Sequence, residues 1–128
     1  MPGSHDYKDK RKSPRFCMDW PLEYRVVDAT NAYGGLVVDG SEIGLRIQSI
    51  KNLPIGTKLK IAVIFPKGFQ MTNFDVLAEI VWKDLYVSED HNGYQYGLKF
   101  IHIKTEDLRK LRQLLDEQIH TQEISRTA

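Results

Sequence analysis

Residues 74–100, FDVLAEIVWKDLYVSEDHNGYQYGLKF, carry the clearest strand signal in the chain. Apolar residues occupy every second position over 74–82, which is the pattern of a strand with one buried face. One face of this strand is expected to carry Val76, Ala78, Ile80 and Trp82. Asn92-Gly93 is a dipeptide preferred in tight hairpin turns, and the alternation resumes over 94–100. The segment therefore predicts two antiparallel strands joined by a hairpin.

Four more strands are predicted before this segment, over 20–26, 36–38, 43–47 and 58–65. The two-residue period recurs in the first and third of them, and the second and fourth are read as strands because they are rich in apolar residues and end at turn residues. In the third of these, one face is expected to carry Ile43, Leu45 and Ile47. Turn-rich sequences separate the strands and no helical period lies between any two of them, which favours an antiparallel sheet over βαβ units. We therefore predict a six-stranded antiparallel β-barrel.

The period changes near the C-terminus, where the sequence predicts one amphipathic helix. Thr105 is suited to the N-cap, and Glu106 and Asp107 follow in the first turn, where the helix dipole favours acidic residues. The apolar face of this helix is expected to consist of Leu108, Leu111, Leu115 and Ile119. The predicted fold class is therefore all-β with one C-terminal helix.

Length and composition exclude several classes of protein. The 128 residues suffice for one domain with one core. The 18 Lys and Arg residues nearly balance the 17 Asp and Glu residues, which argues against a protein that binds polyanions over its whole surface. Cys17 is the single cysteine, so internal disulfides and Cys-based zinc clusters are excluded. The longest apolar run, 61–65, is far shorter than the ~20 residues of a membrane span, and no leader pattern precedes it. We therefore expect a cytoplasmic protein.

The residues that usually carry catalysis show no catalytic arrangement. The four histidines have no metal-ligand spacing. Gly34-Gly35 precedes a predicted strand rather than a helix, unlike a phosphate-binding loop. No nucleophile–base pair supports a hydrolase. We therefore expect no enzymatic activity, no metal and no cofactor.

Two short segments are better suited to binding a nucleotide. Arg11 and Arg15 lie in a basic N-terminal arm, and Pro14 disfavours a helical conformation just before it. Arginine suits phosphate oxygens and the O6/N7 edge of guanine. In the second segment, Asp39 and Ser41 share a face of an extended backbone, and a carboxylate can accept hydrogen bonds from N1 and N2 of guanine. Taken alone, the first segment also fits a solvated basic tail, and the second fits an ordinary β-turn.

Taken together, Arg-x-x-x-Arg over 11–15 and Asp-x-Ser-x-x-Gly over 39–44 resemble the two motifs of the PilZ domain, a bacterial receptor for cyclic di-GMP. Residues 39–47, 78–82 and 96–100 are also similar to strands of that family. The resemblance implies a PilZ-like split barrel over residues 10–121. Residues 1–9 and 122–128 are expected to be flexible tails.

The resemblance also implies which residues hold cyclic di-GMP: Arg11, Arg15, Asp39, Ser41 and Gly44. Four further residues are secondary candidates. Arg46 is in phase with Gly44 on one strand face and can reach a phosphate, although an exposed strand arginine is the commoner case. Trp82 can border the guanine or belong to the core. Lys10 and Lys12 add positive potential near the phosphates, or remain solvated.

The predicted function is that of a cyclic di-GMP receptor, in which the ligand orders the arginine arm over the barrel. The altered surface is then recognised by a separate protein partner, which the sequence does not identify. Two alternatives stay open: a ligand-independent PilZ-like adaptor, and a single-stranded nucleic-acid-binding barrel, against which the near-neutral charge counts. We expect two ligands per chain, because Lys10 can contact the phosphates of a second ligand molecule.

Overall fold

The computed structural model describes the backbone of residues 16–87 and 92–127, and the side chains of residues 20–87 and 92–117. It contains six strands and one helix in the predicted order. The elements are β1 (Phe16–Val26), β2 (Ala32–Gly40), β3 (Gly44–Ser49), β4 (Lys58–Lys67), β5 (Gln70–Val87), β6 (Asn92–His102) and α1 (Thr105–Thr127).

The six strands form a closed barrel in the order β1-β2-β3-β6-β5-β4, and every neighbouring pair is antiparallel. The ring closes because β1 pairs with β2 along one edge and with β4 along the other. The prediction of a six-stranded antiparallel barrel with a C-terminal helix is confirmed. The contact between β3 and β6, which are distant in sequence, places Gly44 beside Lys99 and Arg46 beside Gly97.

The barrel interior is filled by alternate side chains from all six strands, as the two-residue period predicts. Buried hydroxyl groups have partners: the Tyr24 hydroxyl and Ser49 Oγ are 2.7 Å apart. The Tyr96 hydroxyl donates to the carbonyl oxygen of Lys51 at 2.5 Å and accepts from the backbone N–H of Leu53 at 2.8 Å. These bonds fix the loop between β3 and β4 against one end of the core.

Helix α1 packs against β1 and β5 and contributes three buried leucines to the core: Leu111, Leu114 and Leu115. The first intrahelical hydrogen bond runs from the N–H of Leu108 to the carbonyl of Lys104, so Thr105 is the first helical residue and not the predicted N-cap. The helix continues to Thr127, past residue 121, where a flexible tail was expected to begin. The side chain of Ile119 lies outside the described residues.

The start of α1 takes the place of β6 beside the first part of β5. Strand β6 ends at His102, which pairs with Leu77. Beyond that point, the Asp107 carboxylate accepts a hydrogen bond from the backbone N–H of Asp75 at 3.1 Å. Lys110 Nζ donates to the carbonyl oxygen of Asn73 at 2.9 Å. The helix is therefore positioned by backbone groups that β6 leaves unpaired.

Two residues depart from the predicted faces. Ile43 was expected inside the third strand, but it lies in the turn before β3 and is 68% exposed. Trp82 was expected on the face that carries Ile80, but the register shifts between these two residues: Ile80 is opposite Leu98 and Trp82 is opposite Gly97. One extra residue in β5 reverses the alternation. The reading of Trp82 as a core residue is therefore wrong.

Candidate ligand-binding site

An open groove of about 720 Å³ lies on the outer face of β3, β6 and β5, at the end of the barrel that holds the β2–β3 turn. We call it the β3–β6 groove. It is lined by Asp39, Glu42, Ile43, Gly44, Leu45, Arg46, Val81, Trp82, Gly97, Leu98, Lys99 and Phe100. Four of the residues predicted from the sequence are among them: Asp39, Gly44, Arg46 and Trp82.

One row of paired residues crosses the groove over four strands. Asp39 on β2 pairs with Arg46 on β3, Arg46 pairs with Gly97 on β6, and Gly97 pairs with Trp82 on β5. Directly paired residues in antiparallel strands project from the same face of the sheet. The row therefore has a charged pair at one end, a glycine in the middle and an aromatic ring at the other end.

The indole of Trp82 lies directly on the backbone of Gly97. A Cβ atom added at Gly97 would lie 1.9 Å from Trp82 Nε1 and 2.3 Å from Cε2, so no larger residue fits beneath this ring. Trp82 is 40% exposed, because the indole faces the groove rather than the core. An exposed indole face is a stacking platform for a planar base.

The Asp39 carboxylate is buried, with 7% of the residue exposed, and it is paired. Arg46 Nη2 donates a hydrogen bond to Asp39 Oδ2. Such pairing is the usual way in which a buried carboxylate is stabilised. Arg46 Nε is also buried, and it has no hydrogen-bond partner among the described residues. The guanidinium thus holds Asp39 with one nitrogen and leaves a second donor unused.

Ser41 and Gly44 shape the turn between β2 and β3. The Ser41 N–H donates to the carbonyl oxygen of Gly44 at 2.9 Å, and Ser41 Oγ accepts from the N–H of Ile43 at 3.3 Å. A Cβ atom at Gly44 would lie 2.2 Å from the carbonyl oxygen of Leu98, so the close approach of β6 requires glycine there. Both residues therefore hold the turn in place at the edge of the groove, and Ser41 is buried in it.

The same turn is connected to the helix. Glu42 accepts a hydrogen bond from Arg112 Nε, so the turn and α1 are joined by an ion pair across the end of the barrel. Both side chains retain solvent access, which makes this a weak contact by itself.

The N-terminal candidates Lys10, Arg11, Lys12 and Arg15 lie outside the described residues. The described chain begins immediately after them, and its first paired residues adjoin the second motif. Phe16 pairs with Gly40, and Cys17 pairs with Asp39. The backbone that leads to Arg15 therefore starts beside the Asp39 end of the groove.

Sequence reasoning missed Lys99, which lines the groove from β6. Lys99 pairs with Gly44 on one side and with Glu79 on the other. Its alternation with Leu98 and Phe100 indicated an outward side chain. The pairing of β6 with β3, which brings Lys99 to the motif, was not part of the sequence prediction.

The described part of the chain holds no candidate metal site. Within it, no three His, Cys, Asp or Glu residues are grouped so that they could hold a metal ion. The helix within the described residues does not have the length and apolar character that a membrane span needs.

The sequence matches the PilZ domain family over residues 9–117. The chain belongs to this family. Among curated proteins, no sequence match was found. This PilZ chain superposes on the PilZ domain with c-di-GMP of YcgR from Escherichia coli with a TM-score of 0.66 at 13% identity, covering 92% of this chain and 98% of that one.

Two longer proteins share the fold. Bacillus subtilis inhibitor of motility (MotI/DgrA) superposes with a TM-score of 0.70 at 12% identity, covering 88% of this chain and 52% of that chain. K. pneumonia MrkH in its apo state gives a TM-score of 0.68 at 17% identity, with 94% and 54% covered. At such low identities the likeness concerns the fold alone. The PilZ chain spans about half the length of these two proteins.

Proposed function

We propose that this PilZ protein is a non-enzymatic receptor for cyclic di-GMP and that the ligand binds in the β3–β6 groove. Family membership supports this proposal, as do the solved complexes of YcgR and MrkH with that nucleotide, which share the fold. The observation that carries it is the pairing of Cys17 with Asp39. This pairing supports the proposal because Cys17, two residues after Arg15, lies at the end of the groove that holds the second motif.

The row across the groove suits one guanine base. Its flat face can stack on the Trp82 indole above Gly97, where stacking contributes about 1–3 kcal/mol per base. Its N1 and N2 groups can donate to Asp39, which already accepts a hydrogen bond from Arg46. The base then replaces Arg46 as a hydrogen-bond donor to Asp39, and the Arg46 guanidinium turns towards a phosphate or the O6/N7 edge of guanine. Ligand binding thus exchanges one partner of the buried carboxylate for another.

The arm supplies the remaining contacts. Arg11 and Arg15 bind phosphate or guanine from the side opposite the barrel, while Lys10 and Lys12 add positive potential. Ordering the arm costs about 1–2 kcal/mol per residue, and charge-assisted hydrogen bonds to the phosphates offset this cost. Two ligand molecules fit this scheme if Lys10 contacts the second one. Titration of Lys10→Leu protein is then expected to saturate at one equivalent, and an unchanged count would exclude this role.

The output is an altered surface that a separate protein recognises. The Glu42–Arg112 pair joins the motif turn to α1, so a rearrangement of the turn reaches the helix. In this view the protein transmits the presence of the nucleotide without chemical turnover.

Calorimetric titration with cyclic di-GMP tests the proposal, with GTP, cyclic GMP and a short oligonucleotide as controls. We expect binding of cyclic di-GMP alone and an unchanged nucleotide after long incubation. Tight binding of the oligonucleotide without a response to cyclic di-GMP would indicate a nucleic-acid-binding barrel. Absence of all binding by folded protein would indicate a ligand-independent adaptor.

A further inference from the structure

Lys99 stands in a second row of paired residues beside the Asp39–Trp82 row. In this row, Gly44 on β3 pairs with Lys99, Lys99 pairs with Glu79 on β5, and Glu79 pairs with Lys58 on β4. Lys99 is exposed, and it lines the groove. It lies two residues from Gly97 on the same face of β6, a separation of about 7 Å.

Lys99 is the groove cation that has no acidic partner in the described structure. Each carboxylate that lines the groove already forms an ion pair: Asp39 with Arg46, and Glu42 with Arg112. Glu79 pairs with Lys99 on the neighbouring strand, but no ion pair joins the two side chains in the described part of the chain. Each of these ion pairs is neutral overall, so the ammonium of Lys99 leaves the groove wall with positive charge.

This charge lies beside the position of the base. A base stacked on the outer face of the Trp82 indole is separated from Gly97 by the ring. The sugar and phosphate attached to the base extend past the edge of the ring. Trp82, Gly97 and Lys99 line one groove, so the indole and the lysine border the same open space. A long, flexible ammonium side chain suits a phosphate oxygen in that space.

We propose that Lys99 is a specificity-determining residue that binds a phosphodiester group of the ligand from the barrel wall. This inference rests on the proposed binding of cyclic di-GMP in the groove. Lys99 then supplies this phosphate with a cation that is fixed on β6. Lys99 thereby favours a cyclic dinucleotide over an uncharged guanosine, which would stack on Trp82 without using it.

The experiment compares Lys99→Ala with Lys58→Ala by calorimetric titration with cyclic di-GMP. Both lysines are exposed and flank Glu79 in the same row, but only Lys99 lines the groove. We expect Lys99→Ala to weaken binding about tenfold, the scale of one lost charge-assisted hydrogen bond. Lys58→Ala is expected to stay within about twofold, since the exposed lysine at that position does not face the ligand.

Salt dependence separates a phosphate contact from a structural effect. Between about 50 and about 300 mM salt, the affinity of the wild type should fall more steeply than that of Lys99→Ala, because one screened charge pair is gone. Lys99→Arg should recover most of the affinity. Equal affinities and equal salt slopes for Lys99→Ala and Lys58→Ala, with the wild type binding normally, would overturn the role of Lys99. A wild type that binds no cyclic di-GMP would instead refute the proposed function.

Discussion

Gly97→Ala is the sharpest test of the stacking platform, because it moves the Trp82 ring without removing it. The added Cβ would lie 1.9 Å from Trp82 Nε1 and 2.4 Å from Cδ1, whereas unstrained contacts are about 3.5–4.0 Å. The indole must therefore move outward by about 1.5–2 Å. It is 40% exposed, so it can swing into solvent while the barrel remains folded. Loss of stacking is expected to weaken cyclic di-GMP binding by about 1–3 kcal/mol.

Calorimetry gives the affinity for cyclic di-GMP, and fluorescence reports the solvent exposure of the Trp82 ring. With tryptophan-selective excitation, subtracting the emission of Trp82→Phe protein, in which Trp20 is the remaining tryptophan, isolates the signal of Trp82, which should shift to the red in Gly97→Ala. Gly34→Ala is the matched control, because the nearest atom to its added Cβ, the carbonyl oxygen of Leu22, is 4.0 Å away. If Gly97→Ala shows the red shift and still binds like the wild type, Trp82 is not the platform.

Arg11→Ala and Arg15→Ala are each expected to weaken cyclic di-GMP binding by about 1.5 kcal/mol or more, the scale of a lost charge-assisted hydrogen bond. The melting temperature of the free protein should not change, and a lower one would show that the arm is structural. Asp107→Ala removes the acceptor for a backbone N–H of β5, so urea unfolding should give a free energy lower by about 1–3 kcal/mol; an unchanged value would contradict this contact. Burial raises the pKa of the Tyr24 and Tyr96 hydroxyls above their ordinary 10.0. Below that pH both are neutral in the folded and unfolded states, whereas above it the unfolded chain loses its protons first. The free energy of unfolding should therefore fall as the pH rises beyond about 10, and Tyr96→Phe should reduce this slope.

The number, order and type of the elements could be predicted from the sequence, because burial on one face imposes a period of two on strands and of 3.6 on helices. The leucines of α1 show this: Leu111 and Leu115 are buried as predicted. The antiparallel arrangement followed from the short turns between strands. These features depend on the local pattern of apolar and polar residues, which can be read from a single sequence.

The missed features depend on contacts between distant residues. An alternating pattern cannot reveal the irregularity that turns Trp82 outward, because the extra residue is defined only against β6. The pairing of Asp39 with Arg46 requires the register between β2 and β3. Lys99 could be placed on an outer face, but its position beside Gly44 required the closure of the barrel. The resemblance to PilZ motifs identified the candidate residues, but it did not indicate which of them contact each other in the folded barrel.

The way in which α1 meets β5 also bears on the solubility of the protein. A strand with unpaired N–H and carbonyl groups is a template for pairing with another molecule. The helix covers such an edge where Asp107 and Lys110 bond the backbone of Asp75 and Asn73. Loss of the chain after His102 would uncover this edge together with the core side chains that the buried leucines of α1 cover. Truncated molecules would then tend to pair through this strand edge and aggregate. In the full chain, the helix covers the edge and prevents such pairing.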